Sequence, residues 1–145
     1  MRILVDGDGC PVNKQIEELA KERKIPVFIF IDTSHIMESD YCGIIQVSKG
    51  ADSVDFALIN QARHKDIVVT GDYGLATMAL AKQCIVINFR GKHYTNQNIE
   101  SFLFERHLSK KMRRNGIYKG NMKKRTKADD LYFKESLKNI LDQSV

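Results

Sequence analysis

Asp6-Gly7-Asp8-Gly9 sets two carboxylates one residue apart, directly after the short apolar run Ile3-Leu4-Val5. Carboxylates this close repel each other unless a cation or a proton lies between them. A second acidic turn, Gly71-Asp72-Tyr73-Gly74, follows the run Asp66-Ile67-Val68-Val69-Thr70. Asp52 and Asp55 stand three residues apart, the spacing that shares one face of a helix. Hard oxygen donors without thiolate or imidazole favour Mg²⁺ or Mn²⁺ over zinc. An ion so held can orient a water toward phosphorus and stabilise the departing oxygen. A rival reading makes Asp6 and Asp8 caps of the helix that follows. One cap needs one side chain, which leaves a carboxylate over.

Positioning these groups requires strands that end where the aspartates begin. Ile3 to Val5 reads as a buried strand, and Pro11 suits the first turn of a helix carrying Val12, Ile16, Leu19 and Ala20 at helical spacing. Pro26 to Ile31 is continuously apolar, as a strand covered on both faces should be. The polar segment Asp32 to Tyr41 reads as a loop, and its lone His35 as structural. Gly43 to Val47 is a third, weaker strand. A helix capped by Asp52 carries Val54, Ala57, Leu58 and Ala62.

Asp66 to Thr70 and Ile85 to Ile87 are the fourth and fifth strands, with a short helix from Leu75 to Lys82 between them. Phe89 to Thr95 reads as a loop. A long helix runs from Asn96 to Asn115, with Ile99, Phe102, Leu103 and Arg106 on one side and Gly116 as its C-terminal stop. Phe102 and Phe104 are expected in the core. The last helix, 128–143, carries Phe133, Leu137, Ile140 and Leu141. Alternation of strands and helices with short links implies a three-layer α/β domain over 1–145, with a parallel sheet of about five strands. If the first and fourth strands are neighbours, Asp6 and Asp72 share the crevice at their carboxyl ends.

Charge is segregated along the chain. Ten Lys or Arg and no Asp or Glu lie between Arg106 and Lys127, leaving 13 of the 23 basic residues to face all 18 acidic ones elsewhere. That layout suits a molecule that holds cations in one place and polyanions in another. Arg90, Lys92, Arg106, Lys110, Arg113, Arg114, Lys123 and Lys124 are the candidate phosphate contacts. The three cysteines are widely spaced and form no disulfide or zinc pattern, though Cys10 near a helix start is a candidate for a reactive thiolate. No apolar run is long enough to span a bilayer, so a cytoplasmic location is expected. Dinucleotide loops, P-loops and nucleophile elbows are absent from the sequence.

Four stretches, Asp6-Gly-Asp-Gly-Cys-Pro-Val12, Lys49-Gly-Ala-Asp-Ser-Val-Asp55, Val69-Thr-Gly-Asp-Tyr-Gly-Leu-Ala76 and Arg90-Gly-Lys92, occur in the order found in the YaiI/YqxD family. The chain resembles that group of uncharacterised bacterial proteins, which is similar to PIN-like and NYN-like nuclease domains. It departs from the family pattern at Gly74 and Gly120-Asn121, where members carry Pro and Gly-Pro. The resemblance implies a PIN-like sheet with an acidic, metal-binding cleft formed by Asp6, Asp8, Asp52, Asp55 and Asp72. It also implies metal-dependent cleavage of RNA or DNA; as partner, RNA is expected ahead of DNA. On this reading Asp6, Asp8 and Asp72 are catalytic and the cofactor is Mg²⁺ or Mn²⁺. Two alternatives stand beside it. One is a non-catalytic nucleic-acid-binding module. The other is a HAD-like phosphatase with Asp6 as nucleophile and Lys82 or Lys92 as its lysine.

Overall fold

The structure, a computed structural model, describes residues 1–50, 53–116 and 124–143. In chain order the elements are β1 (Ile3–Asp6), α1 (Asn13–Glu22), β2 (Val27–Asp32), β3 (Gly43–Val47), α2 (Ser53–Gln61), β4 (Ile67–Val69), α3 (Tyr73–Ala81), β5 (Ile85–Ile87), β6 (His93–Tyr94), α4 (Ile99–Arg114) and α5 (Lys127–Gln143). They build one six-stranded sheet in the order β3-β2-β1-β4-β5-β6. β1 to β5 run parallel, and the two-residue β6 pairs antiparallel with β5. The expected parallel sheet is therefore present. The addition is β6, within the stretch read as a loop, because a pair of residues is too short to show an alternation.

Successive strand residues point to opposite faces, so a central strand feeds two cores at once. Ile3 and Val5 of β1 join Ile16 and Leu19 of α1 and Phe133, Leu137 and Leu141 of α5 on one side. Leu4 joins Phe30, Val68, Leu58, Leu75 and Ala79 on the other. Every one of Ile3, Leu4, Val5, Ile67, Val68 and Val69 is fully buried. Helices on both faces of a mostly parallel sheet make the expected three-layer α/β class.

Two local expectations change. Pro11 lies before α1 rather than in its first turn, since Val12 is the N-cap. Phe104 is 65% exposed, not core, whereas Phe102 is half-buried against Tyr73 and Tyr94. Positions two apart on a helix cannot face the same neighbour. Ile99 is the one buried residue of α4, and Leu103 is exposed along with Phe104. Past its first turns the helix therefore carries its charges outward rather than burying a face.

Candidate metal-binding cleft

β1 lies between β2 and β4, and Val5 pairs with Val69 across the β1–β4 ladder. One residue on, the strands end in Asp6 and Thr70, side by side. The Thr70 hydroxyl donates to Asp6 Oδ2 at 2.8 Å and accepts the Asp72 N–H at 3.0 Å. A buried threonine thus ties the two acidic turns together. Asp72 is the N-cap of α3, its Oδ1 accepting the Leu75 N–H at 3.0 Å. These bonds engage one oxygen of each carboxylate.

Asp6 and Asp8 do not cap α1, whose N-cap Val12 makes no side-chain cap bond. The carboxylates instead line a cleft of about 380 Å³ together with Gly71, Asp72, Tyr73, Phe89 and Arg106. Gly7 makes the turn between them feasible. Its N–H donates to Phe30 O at 2.8 Å, which continues the β1–β2 ladder past Asp6. A Cβ there would lie 2.6 Å from Ile29 Cγ2 and 2.9 Å from Phe30 O. Only a glycine lets the backbone pass this close to β2.

Burial pushes the Asp6 carboxyl above its ordinary value; the Thr70 bond offsets part of the rise, and the charges of Asp72 and Asp8 add to it. A carboxyl held above its unfolded value costs stability wherever it is ionised. The cost is full above the raised folded value and vanishes below the unfolded one. Asp6→Asn keeps an acceptor for Thr70 and removes the charge. Its metal-free stability should therefore exceed that of wild type near pH ~7 and converge with it toward pH ~3. Denaturant titrations at the two pH values check this; a variant less stable at both would mean that Asp6 is a structural acceptor only.

The second loop at this end of the sheet contributes groups that the sequence reading set aside. His35 Nδ1 lies 3.1 Å from Asp8 Oδ1 and 3.1 Å from Asp32 Oδ1. The Ser34 hydroxyl, His35 and the Ser34 N–H, in that order, pull the Asp32 carboxyl down to about 2. The bond to Asp32 holds the His35 imidazole above its ordinary value, and the Asp8 and Asp32 charges reinforce the effect. His35 reads as solitary in the sequence because its partners come from two other segments. The signal that could have revealed them is Asp32 itself, an aspartate at the end of a strand beside β1.

The remaining candidates are spread more widely. Asp55 lies half-buried in the first turn of α2 and is not among the described residues lining the cleft. Asp52 and Lys123 fall outside the described residues. Arg106 lines the cleft and sits over the Tyr73 ring, 5.9 Å from its centroid. Lys92 lies over Phe102 at 4.8 Å. Lys110, Arg113 and Arg114 continue along the exposed face of α4, and Arg90 and Lys124 are exposed. All three cysteines are free, and burial pushes the Cys10 thiol up to about 12, which removes it as a reactive thiolate.

Comparison with known proteins bears on this arrangement. Residues 4–143 match the model of the family described as uncharacterized BCR, YaiI/YqxD. The chain belongs to the YaiI/YqxD family. A UPF0178 protein of Lachnoclostridium phytofermentans is 54% identical over an alignment of 144 residues, with 97% of each chain covered. A second, from Clostridium kluyveri, is 45% identical over 141 residues, covering 97% of this chain and 93% of the relative. Among solved structures, Rae1 (YacP) from Bacillus subtilis matches over 100% of both chains with a TM-score of 0.50 and 15% identity, a likeness of fold. Among the described residues of this YaiI/YqxD member, no helix is long and apolar enough to cross a membrane.

Proposed function

We propose that this protein is a metal-dependent phosphodiesterase acting on nucleic acid, RNA ahead of DNA, in the cytoplasm. The observation that carries the reading is the convergence of Asp6, Asp8 and Asp72 in one cleft with Arg106 as its cation. Three carboxylates against one guanidinium leave a surplus of negative charge, and an all-oxygen donor set suits Mg²⁺ or Mn²⁺. Asp6 and Asp72 would hold the ion directly, with Asp8, Asp52 or Asp55 completing the set or acting through water. When bound, such an ion activates water and stabilises charge on the departing oxygen. The chain's own residues do the rest. Thr70 fixes the two acidic turns relative to each other, and the N-cap bond fixes the orientation of Asp72. Arg106 meets a phosphate at the cleft mouth, and the basic face of α4 follows the backbone outward.

The family's likeness to PIN-like nuclease domains supports the same assignment. The phosphatase alternative has no lysine among the described residues of the cleft. Lys82 donates instead to the Ile59 carbonyl at 2.5 Å and the Ala62 carbonyl at 3.3 Å, and Lys92 is engaged over Phe102. Labelled RNA and DNA incubated with and without Mn²⁺ test the proposal. Cleavage that requires the ion is expected; tight binding with no cleavage would select the non-catalytic module.

The basic helix has a separate signature. Each neutralised phosphate contributes about −0.7 to the slope of log affinity against log salt on single strands and about −0.9 on duplex. Replacing Lys110, Arg113 and Arg114 with Ala should weaken binding across sequences and flatten that slope by about 2. Stability should hardly change, because exposed charges contribute about 0–1 kcal/mol. An unchanged slope would reduce this stretch of α4 to a solvated surface.

A further inference from the structure

We propose that Asp8, Asp32 and His35 form a second divalent-metal site, suited to a first-row transition ion such as Zn²⁺ or Co²⁺. It differs from the all-oxygen Asp6–Asp72 set by its imidazole nitrogen. Among the described residues this is the one group of three such side chains whose donor atoms all lie within 4.8 Å of one another.

The topology brings the group together. Asp6 pairs with Phe30 in the parallel β1–β2 ladder, so Asp8 and Asp32, each two residues further on, leave neighbouring strands at matched positions. The Asp32 N–H approaches Asp8 Oδ1 at 3.4 Å. His35, three residues into the loop, then turns its Nδ1 onto both carboxylates at 3.1 Å. Ligand atoms about 2.1 Å from an ion are about 3.0 Å apart in octahedral array and about 3.4 Å apart in tetrahedral array. The two separations of 3.1 Å lie between these edges.

The donor chemistry narrows the ion. One imidazole nitrogen with two carboxylates favours zinc and its first-row neighbours over Mg²⁺ and Ca²⁺, which take oxygen. The site is open enough to complete a coordination shell with water, because the His35 side chain is 51% exposed and those of Asp8 and Asp32 are 28% and 22% exposed. The Ser34 hydroxyl and N–H both donate to Asp32 Oδ1, an outer layer that holds this ligand in place. Asp8 also lines the neighbouring cleft with Asp6 and Asp72, where Arg106 is the one Lys or Arg among the described lining residues, so the local charge favours a cation. With a proton on Nδ1, His35 is hydrogen-bonded to Asp32 and faces the Asp8 carboxylate. An ion that displaces the proton uses the same three atoms as ligands.

The inference does not depend on the nuclease reading, since it needs no catalysis and takes neither Asp6 nor Asp72 as a ligand, although Asp8 is shared with that cleft. Zn²⁺ titration of the full chain, followed by imidazole ¹⁵N NMR and calorimetry, tests it. His35 Nδ1 should shift on stoichiometric addition, while His64, His93 and His107 serve as internal controls and stay unchanged. The response should persist in Asp72→Asn. His35→Ala and Asp32→Asn should each weaken Zn²⁺ binding by about tenfold or more, the loss that even an outer-shell partner can cause. Circular dichroism of these loop variants checks that the fold is intact. A His35 resonance indifferent to excess Zn²⁺, or unchanged affinity in His35→Ala, would overturn the site and leave a hydrogen-bonded His–Asp pair. Loss of the response in Asp72→Asn would assign the ion to the first set and overturn the proposal equally.

Discussion

Asp6→Asn should lose Mn²⁺-dependent cleavage by about a hundredfold or more while binding RNA at least as tightly as wild type. The cleft offers few direct ligands, and losing one is expected to cost about 3 kcal/mol of transition-state stabilisation, which is a factor of about a hundred in rate. Binding should not suffer, because the substitution removes a negative charge from a cleft that must admit phosphate. Asp72→Asn belongs in the same assay for a structural reason. Asp72 caps α3 through Oδ1, and Asn caps a helix about as well as Asp does. The variant therefore separates charge from capping. Asp72→Ala would lose both, with about 1 kcal/mol of stability going with the cap. Equal cleavage by wild type and Asp6→Asn would remove the carboxylate from the chemistry.

Gly7→Ala is expected to be the most damaging single methyl group in this turn. The added Cβ would meet Ile29 Cγ2 at 2.6 Å, Ile31 Cγ2 at 2.8 Å and the Phe30 carbonyl oxygen at 2.9 Å. Relief requires the β1–β2 end to separate, at a cost of about 2–3 kcal/mol. For a chain of this size that is a fall of about 5–10 °C in Tm. Because Gly7 joins Asp6 to Asp8, the same shift should blunt the metal response. Gly9→Ala is the control. Gly9 has φ +73° and nothing within 4 Å of its Cβ position, so the strain is confined to the backbone and amounts to about 1 kcal/mol. Thermal melts of the two variants, with and without Mn²⁺, measure the difference. Equal losses would mean that the turn is not clamped against β2.

The reasons some features were legible in the sequence and others were not are physical. Ile3-Leu4-Val5 and Ile67-Val68-Val69 have no polar face, and only strands covered on both sides are built that way. Their adjacency, and hence the meeting of Asp6 and Asp72, follows from the doubly wound arrangement that such strands imply. Asp8, Asp32 and His35 show the limit. A histidine in a polar loop acquires significance only through pairing between β1 and β2, which no local pattern encodes. Phe104 fails differently, since a large apolar side chain on a helix marks the core only when the helix packs along its whole length. α4 packs through Ile99 and Phe102 and presents charge beyond them.

The most direct measurement of the central claim is anomalous diffraction from a crystal of the protein soaked in Mn²⁺. An anomalous peak is expected in the Asp6–Asp72 cleft, with ligand oxygens of both side chains at about 2.0–2.2 Å. The peak should disappear in Asp6→Asn. A cleft without anomalous density at saturating Mn²⁺, or a peak that survives Asp6→Asn unchanged, would contradict that claim.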